Sequence, residues 1–249
     1  LSIILVIFFI PIVKKLGLKF NLYDFPNHRK QHKNPMVRVG GIAIFLGFFV
    51  LSIINLFFLK NSLNINIILM SLIFGSCYFF VGLYEDIFKI RPITRLFTEF
   101  LIASIFWFYN LKFDVINLNP LSTESIFYIN PILSFIITNI WIVGILNSIN
   151  WIDGLDGLAA GISSLILLGF IIIGFSFNNM EAVFISITIF GCCLGFLKYN
   201  SYPAKILMGD SGSYFLGSML AFLSIQSCLQ TTQINNGLEL INGDIVKIV

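Results

Sequence analysis

The stretch that decides the fold is Pro131 to Gly157, which reads PILSFIITNIWIVGILNSINWIDGLDG. Its first part is a run of apolar residues long enough to enter a bilayer as a helix. Its last part carries Asn147, Asn150, Asp153 and Asp156. A charge at the centre of a membrane helix costs about 2.5 to 3.5 kcal/mol, so acids kept beside an apolar span usually belong to a site. The stretch therefore predicts a membrane helix that ends in a functional polar segment.

The same pattern of apolar runs ending in polar segments continues along the chain. Hydrophobic residues make up 57% of the 249 residues and charged residues only 11%, whereas a soluble domain carries about 25% charged residues. A membrane helix takes about 20 residues, so this length predicts about eight spans. We place them at roughly residues 1–13, 40–59, 65–83, 93–109, 131–149, 158–177, 181–197 and 211–229.

The expected fold is therefore all-α, a polytopic transmembrane bundle that forms one domain over residues 1–249. The chain begins at Leu1 with a short span and ends in a polar stretch. We expect it to be truncated at both ends. The glycines and the cysteines of the apolar runs are expected to serve helix packing, since no metal-binding spacing of cysteines occurs.

Basic residues are concentrated in alternate loops, which lie on one face of the bundle because successive loops alternate sides. That face holds Lys14, Lys15, Lys19, Arg29, Lys30, Lys33, Arg38, Lys89, Arg91, Arg95, Lys198 and Lys205. The other face holds Lys60, Lys112 and Lys247. The excess of positive charge predicts that the first face is cytoplasmic and that the protein is a multi-pass protein of the plasma membrane, embedded in the lipid bilayer.

Four polar segments fall on this same basic face. They are Glu85-Asp86, Asn147 to Asp156, Asn200 and Asp210. Four segments on one face predict a single site at the cytoplasmic membrane surface.

The first polar segment, Glu85-Asp86-Ile87-Phe88-Lys89, ends the third span. Residues i and i+3 share a helix face, so Asp86 and Lys89 are predicted to point into one pocket. A solvated helix end with an ordinary ion pair is the alternative.

The second polar segment places Asn150, Asp153 and Asp156 three residues apart, with glycines that permit a tight turn. It lacks the glutamate that would complete an EF-hand calcium loop. An Asx-rich helix cap remains the alternative here, and N-capping of the last span is the alternative for Asp210.

Acids and bases together on one membrane face indicate a phosphorylated substrate. Carboxylates repel phosphates, so an acidic pocket for phosphates needs a bridging cation, most naturally Mg²⁺. A second, separate phosphate would be held by the basic loop residues Arg29, Lys30, Lys33 and Arg38, although general attraction to anionic lipid is an equal alternative. The pattern favours transfer of a phosphosugar from a soluble diphosphate to a lipid phosphate.

At these residues the chain resembles the polyprenyl-phosphate N-acetylhexosamine-1-phosphate transferases. The resemblance rests on Glu85-Asp86-Ile87-Phe88-Lys89, on the Asn-x-x-Asn-x-x-Asp-Gly-x-Asp-Gly pattern of Asn147 to Gly157, and on Met208-Gly209-Asp210-Ser211-Gly212-Ser213. It implies a helical enzyme that transfers a sugar 1-phosphate from a UDP-sugar to a polyprenyl phosphate, releases UMP, and depends on Mg²⁺ or Mn²⁺. Such a reaction begins lipid-linked cell-envelope polysaccharide synthesis.

The resemblance also implies roles for individual residues. Asp210 would bind the metal. The catalytic residues would be Asp86, Glu85 and Asp156. The substrate-binding residues would be Lys33, Arg38, Lys89, Asn147, Asn150, Asp153, Asn200 and Lys205. No nucleic acid is expected as a partner, and a homodimer is one assembly that the resemblance leaves open.

Three points stay open at the level of sequence. The first acid of the family's pair is usually Asp and here it is Glu85, one methylene longer. The role of Glu85 as a base or nucleophile is therefore open. An ion-coupled transporter is the alternative function, but transporter acids should lie near the middle of the membrane rather than at one surface. The sugar carried by the donor is not encoded in any motif that we recognise.

Overall fold

The computed structural model describes residues 1–24, 35–58, 63–117, 126–235, 238–241 and 244–247. Within these residues it contains eight α-helices, one for each predicted span. They are α1 (Ser2–Lys19), α2 (Gly41–Phe58), α3 (Ile65–Phe88), α4 (Pro92–Phe108), α5 (Pro131–Ile152), α6 (Leu158–Ser176), α7 (Met180–Asn200) and α8 (Asp210–Asn235). The all-α prediction is confirmed, and α3 runs five residues past its predicted end at residue 83.

Fewer than eight of these helices are by themselves long and apolar enough to cross a membrane. Within the described ranges, α3, α5, α6 and α7 satisfy both criteria, and Gly41–Phe57 of α2 is a shorter apolar helix. The prediction of eight full spans is therefore too high by this measure. One reason is that α4 has 17 residues and carries Arg95 and Glu99 inside it. The chain remains a multi-pass membrane protein.

Helix α8 lies at the centre of the bundle. It packs against α3 and α5, and also against α2, α6 and α7. Its residues 210–223 are all buried, and Tyr214, Phe215 and Phe222 are among the largest fully buried side chains of the described chain. Because the other helices surround the first half of α8, their side chains can reach the N-terminus of α8.

Glycines allow the neighbouring helices to approach α8 closely. A Cβ atom at Gly82 of α3 would collide with the backbone carbonyl of Asp210, and one at Gly41 of α2 would collide with the backbone of Gly212. At Gly75 a Cβ would lie 2.8 Å from Met219 Sδ and 2.9 Å from Phe215 Cε2. The packing role predicted for these glycines is confirmed.

Three antiparallel strand pairs accompany the helices in the part of the chain that the structure describes. β1 (Tyr23–Asp24) pairs with β2 (Met36–Val37), β3 (Val115–Asn117) with β4 (Ile126–Tyr128), and β5 (Leu238–Ile241) with β6 (Asp244–Lys247). The end of β2 and the start of α2 also bond to the segment before α8. Leu207 N–H donates to the Val37 carbonyl at 2.9 Å, and Gly41 N–H donates to the Met208 carbonyl at 2.8 Å. These bonds fix Arg38 beside the start of α8.

Candidate active site

Asp86, near the end of α3, accepts hydrogen bonds from the first turn of α8. The Asp210 N–H donates to Asp86 Oδ1 and the Ser211 N–H donates to Asp86 Oδ2, each at 2.9 Å. The first N–H groups of a helix have no partner within the helix and carry partial positive charge, so they favour a carboxylate. Asp86 thus caps α8 from a different helix, and the Asp210 side chain is free for other contacts.

Asp210 uses both of its carboxylate oxygens in contacts with side chains from other segments. Arg38 Nη2 donates to Asp210 Oδ2 at 2.7 Å, and Asn150 Nδ2 donates to Asp210 Oδ1 at 2.7 Å. Asn150 Nδ2 also lies 2.9 Å from Ser213 Oγ, one turn further along α8. The side chain of Asp210 is 11% exposed, so Arg38 and Asn150, rather than water, stabilise most of its negative charge.

Asp153, immediately after α5, completes a group of three aspartates around Arg38. Burial raises the pKa of the Asp153 carboxyl well above its ordinary value, and the negative charges of Asp210 and Asp86 raise this pKa further. The positive charge of Arg38 and a hydrogen bond from the Gly209 N–H act in the opposite direction. For Arg38, burial acts to lower the pKa, but Asp210 and Asp86 raise it above its ordinary value. We call Asp86, Asp153, Asp210 and Arg38 the acid cluster.

Gly209 is required where the chain enters α8. Its φ angle of +81° is one that residues with side chains rarely adopt. A Cβ at this position would also collide with the Arg38 carbonyl and lie 2.9 Å from Asp86 Oδ2. A glycine here lets the aspartates come together without a side chain between them.

Asn200 and Asp156 hold the loop that borders the acid cluster. Asn200 Oδ1 accepts from the Gly157 N–H at 3.0 Å, and its Nδ2 donates to the Ile206 carbonyl at 2.9 Å. Asp156 Oδ2 accepts from the Ala204 N–H at 3.0 Å. These contacts join the turn before α6 to the loop between α7 and α8, so both side chains shape the site through the backbone.

Glu85 and Asn147 belong to a neighbouring polar cluster. Glu85 Oε1 accepts from Arg95 Nη1 at 3.2 Å, and Asn147 Oδ1 accepts from Arg95 Nη2 at 3.2 Å. Our sequence interpretation counted Arg95 only as a basic loop residue and did not consider Glu99. An arginine and a glutamate four residues apart at the start of an apolar run were a signal that could have identified them.

The predicted basic residues have different positions. Arg38 contacts the acids directly, because the β2 segment is bonded to the loop before α8. The separate phosphate site that the sequence assigns to Arg38 stays a prediction. Lys89 ends α3 in the left-handed conformation and is exposed, while Asp86 turns toward α8 instead. Lys205 is exposed in the loop before α8. Lys33 lies outside the described residues.

A sequence model described as glycosyl transferase family 4 matches residues 68–228. The matched region includes both acids of α3, the polar end of α5 and the start of α8. The chain belongs to glycosyl transferase family 4. All of the acid cluster except Arg38 lies inside the family region.

Curated relatives of this family member are named as transferases, several of them for a polyprenyl phosphate. It is 34% identical over 225 residues to a probable undecaprenyl-phosphate N-acetylglucosaminyl 1-phosphate transferase of Bacillus subtilis (strain 168), covering 90% of this chain and 60% of the relative. It is 37% identical over 256 residues to a phospho-N-acetylmuramoyl-pentapeptide-transferase of Prochlorococcus marinus (strain MIT 9312), covering 96% of this chain and 69% of the relative.

A third relative is a decaprenyl-phosphate N-acetylglucosaminephosphotransferase of Mycolicibacterium smegmatis (strain ATCC 700084 / mc(2)155). It is 28% identical over 225 residues, with 85% of this chain and 55% of the relative covered. The chain therefore spans between 55% and 69% of the length of these three relatives.

The acid cluster of this family 4 chain offers only oxygen ligands. Carboxylate oxygens are the ligands that Mg²⁺ prefers, so the donor chemistry fits that ion. Among the described residues, however, no group of three or more His, Cys, Asp or Glu side chains is already arranged around a common metal position. The oxygens of Asp210 are instead held by Arg38 and Asn150, so metal binding would require these partners to adjust.

Proposed function

We propose that the protein transfers a sugar 1-phosphate, of the N-acetylhexosamine class, from a UDP-sugar to a polyprenyl phosphate. The observation that carries the proposal is the acid cluster, in which carboxylates from α3, the end of α5 and the start of α8 meet around Arg38. Membership of glycosyl transferase family 4 and the names of the relatives supply the reaction class. The acid cluster is therefore where we place the reaction.

The chemistry needs little proton transfer. A phosphate monoester has its second pKa at about 6, so the lipid phosphate is mostly a dianion at neutral pH. One of its oxygens forms a bond to the donor's β-phosphorus, and the bond from that phosphorus to the bridging oxygen breaks. The leaving group keeps that bridging oxygen and is UMP, and the product is a polyprenyl diphosphate sugar.

In this proposal the protein contributes mainly position and charge. Asp86 holds the N-terminus of α8, which fixes the Asp210 carboxylate, and Arg38 supplies a positive charge at the same place. Mg²⁺, or Mn²⁺ in its place, would be held by Asp210 with help from the neighbouring aspartates and would neutralise diphosphate charge. Lys89 and Lys205 are exposed at the border of the site and suit contacts with the substrate phosphates.

The proposed site lies at the cytoplasmic surface of the plasma membrane. The acid cluster occupies the end of the bundle to which the basic loops belong, whereas Asn64 and Glu181 contact each other at the other end, where Asn64 N–H donates to Glu181 Oε1 at 2.7 Å. Basic loops favour the cytoplasmic side. The position at one end also favours a transferase over the transporter alternative. A homodimer stays a prediction that a measurement of mass in detergent would decide.

The experiment is a transfer assay on the full-length protein with a polyprenyl phosphate and a panel of UDP-sugars. We expect lipid-linked product and UMP with one or more donors, no activity in EDTA, and recovery of activity on adding MgCl₂. Asp210→Asn should abolish product, because an amide is a poor ligand for Mg²⁺.

The matched control is Asp114→Asn, which removes an acid that pairs with Lys112 at the other end of the bundle. It should keep normal activity. Near-normal activity of Asp210→Asn that still depends on Mg²⁺ would contradict the assignment.

A further inference from the structure

A second polar cluster lies beside the acid cluster and is built around Arg95. The Arg95 guanidinium donates from Nη1 to Glu85 Oε1 of α3 and from Nη2 to Asn147 Oδ1 of α5, each at 3.2 Å. Its Nε lies 3.5 Å from Glu99 Oε1, one turn along α4. Three helices therefore meet at one side chain, which we call the Arg95 cluster together with Glu85, Glu99 and Asn147.

Glu99 and Asn147 hold Arg95 from its other side. Asn147 Nδ2 donates to Glu99 Oε2 at 2.6 Å and to the Val143 carbonyl at 2.9 Å. The side chain of Glu99 is fully buried, and the Tyr78 hydroxyl donates to the backbone carbonyl of Glu99 at 2.9 Å. A buried carboxylate is costly unless it is paired and hydrogen-bonded. Glu99 Oε1 and Arg95 Nε form an ion pair without a hydrogen bond, so Glu99 acts on Arg95 by its charge and through its bond with Asn147.

The Arg95 cluster leaves Glu85 with one oxygen uncommitted. Glu85 Oε1 is held by Arg95, whereas Glu85 Oε2 has no hydrogen-bond partner among the described residues. Glu85 directly precedes Asp86, which contacts α8, and the charges of Asp210 and Arg38 act on Glu85. One carboxylate oxygen is thus anchored by Arg95, and the other is buried without a partner on the residue next to Asp86 of the acid cluster.

We propose that Arg95 is a positioning residue for the transfer reaction and that it acts through Glu85. Glu99 and Asn147 orient the guanidinium, Arg95 fixes Glu85, and Glu85 presents its free oxygen toward the substrates or metal of the acid cluster. The planar guanidinium can bond Glu85 and Asn147 at once through its two Nη atoms, which a lysine ammonium on a flexible chain does not reproduce. This inference rests on the proposed transferase function.

The test is a double-mutant cycle with Arg95→Gln and Glu85→Gln in the full-length protein. We expect each single change to lower kcat about tenfold with little change in the KM for either substrate. If Arg95 acts through Glu85, the double variant should also lose about tenfold, whereas independent effects would multiply to about a hundredfold. Arg95→Lys should keep only part of the activity.

Arg91→Gln is the matched control, since Arg91 is exposed at the N-terminus of the same helix and its side chain makes no cap hydrogen bond. It should keep wild-type kcat. A double variant with the product of the single losses would overturn the inference, as would an Arg95→Gln effect confined to the KM for UDP-sugar or to the melting temperature. If Arg95→Gln does not fold, the same cycle with Arg95→Lys decides between these outcomes.

The outcomes also separate this inference from the proposed function. Absence of sugar-1-phosphate transfer by the wild-type protein would contradict the proposed function. Active wild-type protein with independent effects of Arg95 and Glu85 would contradict only the positioning role.

Discussion

At the scale of the residue, the two neighbouring acids at the end of α3 have different partners. Asp86 accepts both first N–H groups of α8, while Glu85 pairs with Arg95 of α4. Consecutive helix residues point about 100° apart, so one acid pair can reach two neighbouring helices. The longer side chain of Glu85 is compatible with this arrangement because its anchor is an arginine side chain, whereas Asp86 must meet a backbone at close range.

Asp86→Asn should impair both activity and stability. An amide has one acceptor oxygen, so its nitrogen would face a backbone N–H of α8, and a buried donor left unpaired costs about 1 to 3 kcal/mol. We expect transfer to fall by about 10² to 10⁴ and the melting temperature to decrease. Steady-state assays and thermal unfolding in detergent, with Asp114→Asn as the control, measure both effects. A loss of activity below threefold would reassign Asp86 to a purely structural role.

Asp153→Asn should stabilise the metal-free protein while abolishing transfer. Because burial raises the pKa of Asp153 well above its ordinary value, the folded state binds its proton more tightly than the unfolded state. The contribution of Asp153 to stability is therefore full below the unfolded pKa, about 3.9, and is lost as pH rises through the folded pKa. The asparagine side chain does not ionise, so the variant does not lose this stability as the pH rises.

The measurement for Asp153 is thermal unfolding in EDTA at pH 5 and pH 8. The variant should melt at a higher temperature than the wild type, with the larger difference at pH 8. Equal differences at the two pH values, or a variant that melts below the wild type at pH 8, would show that folding does not raise the pKa of Asp153.

At the scale of the element, the site depends on how closely α2 and α3 approach α8. Glycines at positions 41, 82 and 212 let backbones touch where the side chains of the acid cluster begin. The apolar runs of the sequence predicted the helices to within a few residues at most ends, because each run is bounded by polar or Gly-rich segments. The polar motifs likewise predicted that the α3, α5 and α8 segments form one site.

Contacts between distant segments were beyond the sequence interpretation. Asp86 capping α8 and Arg38 pairing with Asp210 depend on how helices dock, and 172 residues separate the last two. Nothing in the local pattern at Arg38 distinguishes a charge that contacts lipid from one that contacts Asp210. Glu99 was overlooked because an acid inside a predicted span was read only as part of an apolar run.

Gly82→Ala should disrupt the acid cluster by moving α3 away from α8. The added methyl group would collide with the Asp210 backbone carbonyl, and backbone cannot move aside as the end of a side chain can. We expect a loss of transfer of at least tenfold and a lower melting temperature, in line with overpacking costs of about 1 to 3 kcal/mol.

Gly161→Ala in α6 is the control for Gly82→Ala, since a Cβ at Gly161 meets nothing within 4 Å. It should leave activity unchanged and stability equal or slightly higher, because alanine favours helix. Equal behaviour of the two variants would refute the close-contact role of Gly82.

At the scale of the whole molecule, the bundle places the polar segments at Glu85-Asp86, Asn147 to Asp156, Asn200 and Asp210 at one end. α8 occupies the centre, surrounding helices direct side chains to its N-terminus, and the basic loops lie at that same end. A polyprenyl phosphate keeps its hydrocarbon in the bilayer and its phosphate at the surface, whereas a UDP-sugar arrives from water. A polar cluster at the membrane surface is where the two proposed substrates could meet.

Transfer in sealed vesicles of defined orientation tests this account most directly. The full-length protein is supplied with polyprenyl phosphate and with the UDP-sugar that is best in the panel, labelled with ³²P at its β-phosphate. We predict labelled lipid and unlabelled UMP when the donor reaches the cytoplasmic side, as in inside-out vesicles, and neither product with Asp210→Asn. Release of UDP in place of UMP, or equal labelling of lipid in right-side-out vesicles, would contradict the proposed transfer of a sugar 1-phosphate at the cytoplasmic side.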